Sequence, residues 1–339
     1  MRTFFRATTV GVAFLLSLVP VAAQPPEKPG AEVVLTSVEA PRWSLAIHGG
    51  AGVIDKSMPE EKKKEYFAAL ERALNLGKGM LAKGASAVDT VEAVVKDLEN
   101  DPKFNAGKGA VFTHDGEHEM DAAIMDGSTL GCGSVAGLKT VKNPISLARL
   151  VMEKSKHVFF AGPGAEKFAD EMKVERAGPE YFFVQERYDQ WQKELKDEAA
   201  GSVPKKFGTV GAVALDIHGH LAAATSTGGL TNKRFGRIGD VPVIGAGTYA
   251  DDRSCAISAT GVGEQFIRHT VARTISARVQ FAGLSLEEAA KQTIAELEPG
   301  DGGIIAVGKD GGIALVFNSA GMFRGAANSG GRFDVAIWE

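Results

Sequence analysis

The chain has 339 residues, is 44% apolar and carries a formal net charge of −4, which suits one large globular domain or two small ones. An acidic balance argues against nucleic acid as a partner, because phosphate binding needs a basic face. Glycine is abundant, at 41 residues against 4 Tyr and 3 Trp, and points to tight turns and close backbone approaches in a β-rich or sandwich architecture.

Residues 1–23 read as an export signal. Arg2 and Arg6 make a positive start, 10–19 is mostly apolar, and Val21-Ala22-Ala23 places small residues before Gln24. The apolar run is short for a permanent span, so the mature chain is expected to be soluble, away from the membrane, and secreted or periplasmic. An uncleaved anchor is the competing reading. A Pro-rich lead-in follows at 25–33.

Residues 43–48 resemble a short buried strand ended by Gly49-Gly50-Ala51-Gly52. A helix is expected over 60–82, weakened late by Gly77 and Gly79; its cluster Lys62-Lys63-Lys64 reads as a solvated face. A second helix is expected over 87–99. Ser86 can cap it, with Asp89 three residues on, and Val88, Val91, Val95 and Leu98 form its buried stripe. A loop spans 100–109. Strands are expected near 110–113 and 134–138, and a helix over 144–154.

Residues from about 179 to 208 are rich in Glu, Gln, Lys and Asp. They read as an exposed, partly disordered connector containing a helical piece at 185–199. Beyond it come short strands: 209–216 and 220–226 as a hairpin, then 243–249 and 254–260. Helices are expected over 264–281 and 285–297, and a last hairpin over 303–308 and 312–317. Strands and helices occur in blocks, which favours an α+β arrangement of stacked antiparallel sheets covered by helices.

Cys132 and Cys255 could pair in an oxidising compartment, or Cys255 could be a buried thiol within its apolar run; no spacing rule decides. His114 and His118 are spaced i, i+4, but Asp115-Gly116 between them reads as a turn, which disfavours a helical zinc site. No phosphate-loop or dinucleotide fingerprint is present.

The chemistry centres on Gly208-Thr209. Thr opening a strand is ordinarily just a good strand residue. Here an unhindered Gly precedes it, a connector leads into it, and the hairpin sets Thr225-Ser226-Thr227-Gly228-Gly229 beside it. Cleavage before Thr209 would put a hydroxyl and a free α-amine on one residue, a known route to activating a weak nucleophile. Arg237 and Asp240 could be a surface ion pair at i, i+3. Alternatively, a guanidinium suits an α-carboxylate and an anionic Asp suits an α-ammonium group.

The run Gly208-Thr209-Val210-Gly211-Ala212-Val213-Ala214-Leu215-Asp216 resembles the plant-type L-asparaginases, or isoaspartyl peptidases, which are N-terminal-nucleophile hydrolases. So do Ala223 to Gly229, Gly236-Arg237-Ile238-Gly239-Asp240 and Thr260-Gly261-Val262-Gly263-Glu264. His48-Gly49-Gly50-Ala51-Gly52, Phe104-Asn105-Ala106-Gly107, Met125-Asp126-Gly127 and Gly245-Ala246-Gly247 extend the match over most of the chain beyond the signal.

The resemblance implies an αββα sandwich and self-cleavage at Gly208–Thr209. An α-subunit (24–208) and a β-subunit (209–339) would form one structural domain, paired as a dimer of αβ units. It implies Thr209 as nucleophile, Thr227 as its hydrogen-bond partner, and Thr260 with the N–H of Gly261 as oxyanion donors. Arg237, Asp240, Thr260, Gly261 and Gly263 would bind substrate, and Asn105 would support the nucleophile. No cofactor is implied for catalysis. A structural sodium or other alkali ion is implied, on the backbone carbonyls of Leu98, Glu99, Asp101, Phe104, Ala106 and Lys108. The expected substrates are β-aspartyl dipeptides and L-asparagine.

Glycosylasparaginase is the nearest alternative; Gly228-Gly229 and Glu264 stand where that branch tends to have Asn-Gly and Asp. The rival of another class is a non-catalytic exported binding protein for amino acids or peptides. Phe207 departs from the family's frequent polar residue, and the chain after Arg324 is only loosely similar.

Overall fold

The computed structural model describes residues 43–199 and 208–338. The export signal, the Pro-rich lead-in and residues 200–207 of the connector, with Phe207, lie outside the described residues. The first part comprises β1 (Ser44–Gly52), α1 (Glu60–Ala82), α2 (Ala87–Glu99), β2 (Met120–Asp126), β3 (Cys132–Leu138), α3 (Pro144–Lys154), β4 (Phe159–Ala161), α4 (Gly162–Glu171), α5 (Pro179–Phe182) and α6 (Gln185–Ala199). The second comprises β5 (Val210–Leu215), β6 (Leu221–Thr227), β7 (Thr248–Ala250), β8 (Cys255–Gly261), α7 (Gly263–Arg268), α8 (Val271–Ala282), α9 (Leu286–Ala295), β9 (Gly302–Gly308), β10 (Ile313–Phe317), β11 (Gly321–Asn328) and β12 (Phe333–Ala336).

This is an α+β fold with two sheets. The larger has strand order β12-β11-β1-β5-β6-β2-β3-β4 and the smaller β10-β9-β8-β7. Central strands of the larger sheet are apolar on both faces, and their period-2 alternation feeds two separate cores. Leu45, Ile47, Ala212, Ala214, Ala222 and Ala224 face α1, α2 and α3. The intervening Ala46, Val213, Leu215 and Ala223 face β8 and β9 of the smaller sheet. Helices α8 and α9 pack on that smaller sheet.

Local signals explain several boundaries. Ser86 Oγ accepts from the N–H of Asp89 at 3.1 Å and starts α2. Pro144 opens α3 at a position whose N–H would have no helical partner. The buried stripe of α2 is Val91, Val94, Val95 and Leu98, with Val88 only partly buried.

Other expectations change. The helical piece expected at 185–199 is α6, but the connector is less exposed than expected and adds the short α5 ahead of it. The polar composition of α6 hides an aromatic face, on which Trp191 stacks against Phe112 at 5.4 Å between ring centres, and it also buries Arg187. Residues 110–113 are not a strand; Ala110, Val111 and Phe112 are buried, and Thr113 makes a single bridge to Lys233. A short apolar run has no periodicity to separate these cases. The helix expected over 264–281 breaks at Thr270, whose φ of 44° is left-handed, giving α7 and α8. Residues 243–247 are turn and loop before the short β7. The Gly-rich end beyond Arg324 completes β11, which pairs with β1, and adds β12.

Cys132 and Cys255 are free thiols, and burial pushes the Cys255 thiol up to about 12. Among the described residues no helix is long and apolar enough to cross a membrane.

The two late glycines of α1 differ in kind. A Cβ on Gly77 would lie 2.5 Å from Leu45 Cδ2 and 2.8 Å from Val94 Cγ2, whereas one on Gly79 would meet nothing within 4 Å. Gly79→Ala is therefore expected to stabilise the fold by about 0.5–1 kcal/mol through helix propensity. Gly77→Ala should destabilise it by about 1–3 kcal/mol through overpacking. Urea unfolding of the two variants checks the opposite signs.

Candidate active site

Strand β5 begins at Val210, so Thr209 stands at its mouth. The register Val210↔Ser226 brings Thr209 to the end of β6, and its Oγ1 donates to Thr227 Oγ1 at 3.1 Å. Thr227 Oγ1 also accepts from the N–H of Gly229 at 3.0 Å. Both threonines are buried, so the hydroxyl pair is held in one geometry.

Strand β1 grips the junction from the other side. A Cβ on Gly50 would fall 2.4 Å from Gly208 Cα, and one on Gly208 would fall 2.7 Å from Gly50 Cα and 2.9 Å from the Gly49 carbonyl oxygen. Only paired glycines allow this backbone-to-backbone approach, and Gly50 also sits at φ 116°. One residue before Gly49, His48 Nδ1 donates to the Thr209 carbonyl at 3.0 Å, while Nε2 accepts from Ser258 Oγ at 2.8 Å. The chain of hydroxyls continues from Ser258 to Thr225 at 2.7 Å and from Thr225 to Thr248 at 2.7 Å. Burial drives the His48 pKa down to about 3, so the ring is neutral. Sequence reasoning quoted His48 within a motif but gave it no role; the adjacent glycines were the available signal.

Thr260 is buried, and its Oγ1 accepts from the N–H of Ala51 at 3.1 Å, which leaves the hydroxyl proton to donate. Gly261 has φ 152°, and a Cβ there would lie 1.9 Å from the Asp301 carbonyl oxygen. Gly261 and Ala51 line one small cleft with Gly208, Thr209, Thr227, Gly229, Arg237 and Asp240.

Arg237 and Asp240 do not form the simple ion pair that their spacing allowed. The Arg237 guanidinium is forked onto Glu264, at 2.9 and 3.0 Å. Asp240 is buried, its Oδ2 makes no hydrogen bond among the described residues, and burial pushes its pKa up to about 7 against the pull of Arg237. Gly263 separates the two groups: a Cβ there would lie 2.7 Å from Arg237 Nη2 and 2.8 Å from Asp240 Oδ1. Sequence reasoning noted Glu264 only as a branch marker and missed it as the partner that aims Arg237. Lys233 was also missed; it is buried, donates to the Glu119 carbonyl at 2.8 Å and lies behind Gly229.

Asn105 is buried. It braces the loop after β6, with Nδ2 donating to the Gly229 carbonyl at 2.8 Å and Oδ1 accepting from Val111 N–H at 3.1 Å. Its loop winds back so that Gly107 lies against the Glu99 carbonyl. The carbonyls of Leu98, Asp101, Phe104 and Ala106 each accept one backbone N–H along that path. The Glu99 carboxyl is buried and bonded to Ser226 Oγ at 2.6 Å, Ile145 N–H at 2.9 Å and Asn143 at 3.1 Å; burial pushes its pKa up to about 7. The Lys108 ammonium lies over the Tyr181 ring. His114 bonds Asn232 and His118 bonds the Val111 carbonyl, on different partners.

The family model described as Asparaginase matches residues 41–337. The chain belongs to the asparaginase family. The isoaspartyl peptidase of Escherichia coli K12 is 49% identical over 292 residues, covering 83% of this chain and 91% of that protein. The probable isoaspartyl peptidase/L-asparaginase 2 of Arabidopsis thaliana is 46% identical over 324 residues, 88% of this chain and 99% of that protein. The isoaspartyl peptidase/L-asparaginase of Mus musculus is 42% identical over 291 residues, 84% of this chain and 88% of that protein.

Within this asparaginase site, His48 carries a pH signature. Its folded pKa, about 3, lies below the ordinary 6.5. Between those values the unfolded chain takes up a proton that the folded chain refuses, so stability falls as pH falls through that window. The melting temperature is expected to drop on acidification from about pH 6.5 toward 4. His48→Gln should flatten part of that slope while lowering stability at pH 7, as read by calorimetry.

Proposed function

We propose that this asparaginase-family chain is an autocleaving threonine amidohydrolase that releases aspartate from β-aspartyl dipeptides and from L-asparagine. The observation that carries the reading is the hydroxyl contact of Thr209 with Thr227 at a Gly–Thr junction, in one cleft with Arg237 and Asp240. The two sheets and their covering helices fit an αββα sandwich.

In maturation the Thr209 hydroxyl attacks the Gly208 carbonyl carbon. The C–N bond breaks, the Thr209 nitrogen leaves as an amine and water hydrolyses the resulting ester. The product is an α-subunit ending at Gly208 and a β-subunit beginning at Thr209. In turnover the new α-amine, with a reference pKa of roughly 8, takes the proton of the Thr209 hydroxyl as its oxygen attacks the β-carbonyl of the substrate. The Thr260 hydroxyl and the Gly261 N–H meet the developing oxyanion; such donors typically supply about 10²–10³ in rate. Ammonia or an amino acid departs, and water releases aspartate. Arg237, aimed by Glu264, takes the α-carboxylate, and ionised Asp240 takes the α-ammonium group.

The 98–108 loop supplies neutral oxygen donors of the kind a hard cation takes. The carbonyls of Leu98, Glu99, Asp101, Phe104, Ala106 and Lys108 would hold a sodium or other alkali ion, which would serve structure and not the reaction. The signal-like start supports a secreted or periplasmic address, and the family resemblance supports a dimer of αβ units.

Activity assays on the mature protein test the reading. L-asparagine and a β-aspartyl dipeptide are both expected to be hydrolysed, with Thr227→Ala lowering kcat by about 10². Burial holds the Asp240 pKa at about 7, so substrate binding should strengthen as pH rises through neutrality, as a pH series of KM would show. Asp240→Asn should bind weakly, with little dependence on pH. Cleaved protein that leaves both substrates intact would overturn the proposal.

A further inference from the structure

A second cavity adjoins the aspartyl cleft. It is narrow, and its walls include Gly50, Ala51, Tyr66, Arg187, Gly208 and Phe323. Gly208 and Ala51 line both spaces. Gly208 is therefore part of the partition between them in the uncleaved chain. Once the bond to Thr209 is broken, withdrawal of Gly208 would join the two spaces, with the Thr209 hydroxyl between them.

Arg187 gives this second cavity a chemical character. It is buried, at 7% exposure, and forms no ion pair among the described residues. Three of its five N–H groups are used: Nε to the Gly109 carbonyl at 3.1 Å, Nη2 to the Lys103 carbonyl at 2.8 Å and Nη1 to Gln190 Oε1 at 3.1 Å. All three acceptors are neutral. A buried guanidinium with neutral partners and N–H groups to spare is set up for a carboxylate. Beside it Tyr66 and Phe323 stack at 4.4 Å between ring centres, making an apolar wall. The same three side chains also line a groove leading past Met58 and Lys62, which offers a way out.

We propose that this cavity is the leaving-group subsite of the mature enzyme. It takes an amino acid with a free α-carboxylate and an apolar side chain, with the carboxylate on Arg187 and the side chain against Tyr66 and Phe323. The inference rests on the β-aspartyl hydrolase reading above and narrows its substrate class to dipeptides with a free C-terminus. Arg187 is a binding residue for the departing half of the substrate. The new carboxylate of Gly208 shares the same chemistry and is the other source of a partner for it.

The test compares β-aspartyl-leucine, β-aspartyl-leucinamide and L-asparagine on the cleaved wild-type protein and on Arg187→Gln. In the wild type the amide should have a kcat/KM lower by roughly tenfold or more, as expected for loss of a charge-assisted hydrogen bond, with the change mainly in KM. In Arg187→Gln the dipeptide should fall to the level of the amide, and asparagine should be unaffected. The decisive quantity is the dipeptide-to-amide ratio within each protein, so a general loss of activity in the variant does not obscure it. Arg187→Lys should retain part of the ratio.

Equal rates for dipeptide and amide in the wild type would overturn the proposal without any substitution and would leave the Gly208 carboxylate as the occupant. A ratio that persists in Arg187→Gln would overturn it as well. Failure of the wild type on all three substrates would instead overturn the broader hydrolase reading.

Discussion

The backbone contact between Gly50 and Gly208 is the constraint on which the site depends. Neither residue can carry a side chain there, so the segment entering the Gly208–Thr209 bond is pressed against the end of β1. The same strand supplies His48, which holds the Thr209 carbonyl. One strand thus grips both sides of a single peptide bond, and the pairing of β1 with β5, His48 opposite Gly211, sets the distance between those grips. A Cβ on Gly211 would lie 2.0 Å from Ser258 Oγ and 2.4 Å from His48 Nε2, so that residue too must be glycine for the histidine to reach across. Rigid elements of this kind give a reacting group the fixed geometry that a loop cannot.

Charge is kept away from the nucleophile and concentrated at the far end of the cleft. Around Thr209 the partners are hydroxyls, a neutral imidazole and backbone groups. Arg237, Glu264 and Asp240 stand together at the other end. Neutral hydrogen bonds orient Thr209 without competing with the charge that develops on a tetrahedral intermediate, while the charged end suits the two charges of an amino acid. Glu99 ties the two halves together from below: it ends α2, opens the 98–108 loop and bonds Ser226, the neighbour of Thr227.

Much of this was legible in the chain because it rests on local rules. The cap at Ser86, the Pro at the start of α3 and the β5–β6 hairpin are signals that span a few residues. The hairpin sets the stretch Thr225 to Gly229 beside Thr209, and the family resemblance picks out Thr227 within it. What could not be read are contacts between residues distant in sequence. His48 meets Thr209 and Ser258, and Arg237 meets Glu264, through tertiary packing. The packing of α6 was hidden by its polar composition, since Arg187, Tyr188 and Trp191 find their partners in the 103–112 region. The chain beyond Arg324 is Gly-rich and only loosely similar to the family, and its place in the sheet comes from pairing with β1, which is distant in sequence.

The central claim is that the Thr209 hydroxyl cuts the bond before it and then serves as the nucleophile. Intact mass and N-terminal sequencing of the purified chain over time, beside Thr209→Ala, test this most directly. The account predicts two fragments from the wild type, one beginning at Thr209, and an uncut Thr209→Ala chain. A wild-type chain that stays whole at neutral pH, or a Thr209→Ala chain cut at the same bond, would contradict it.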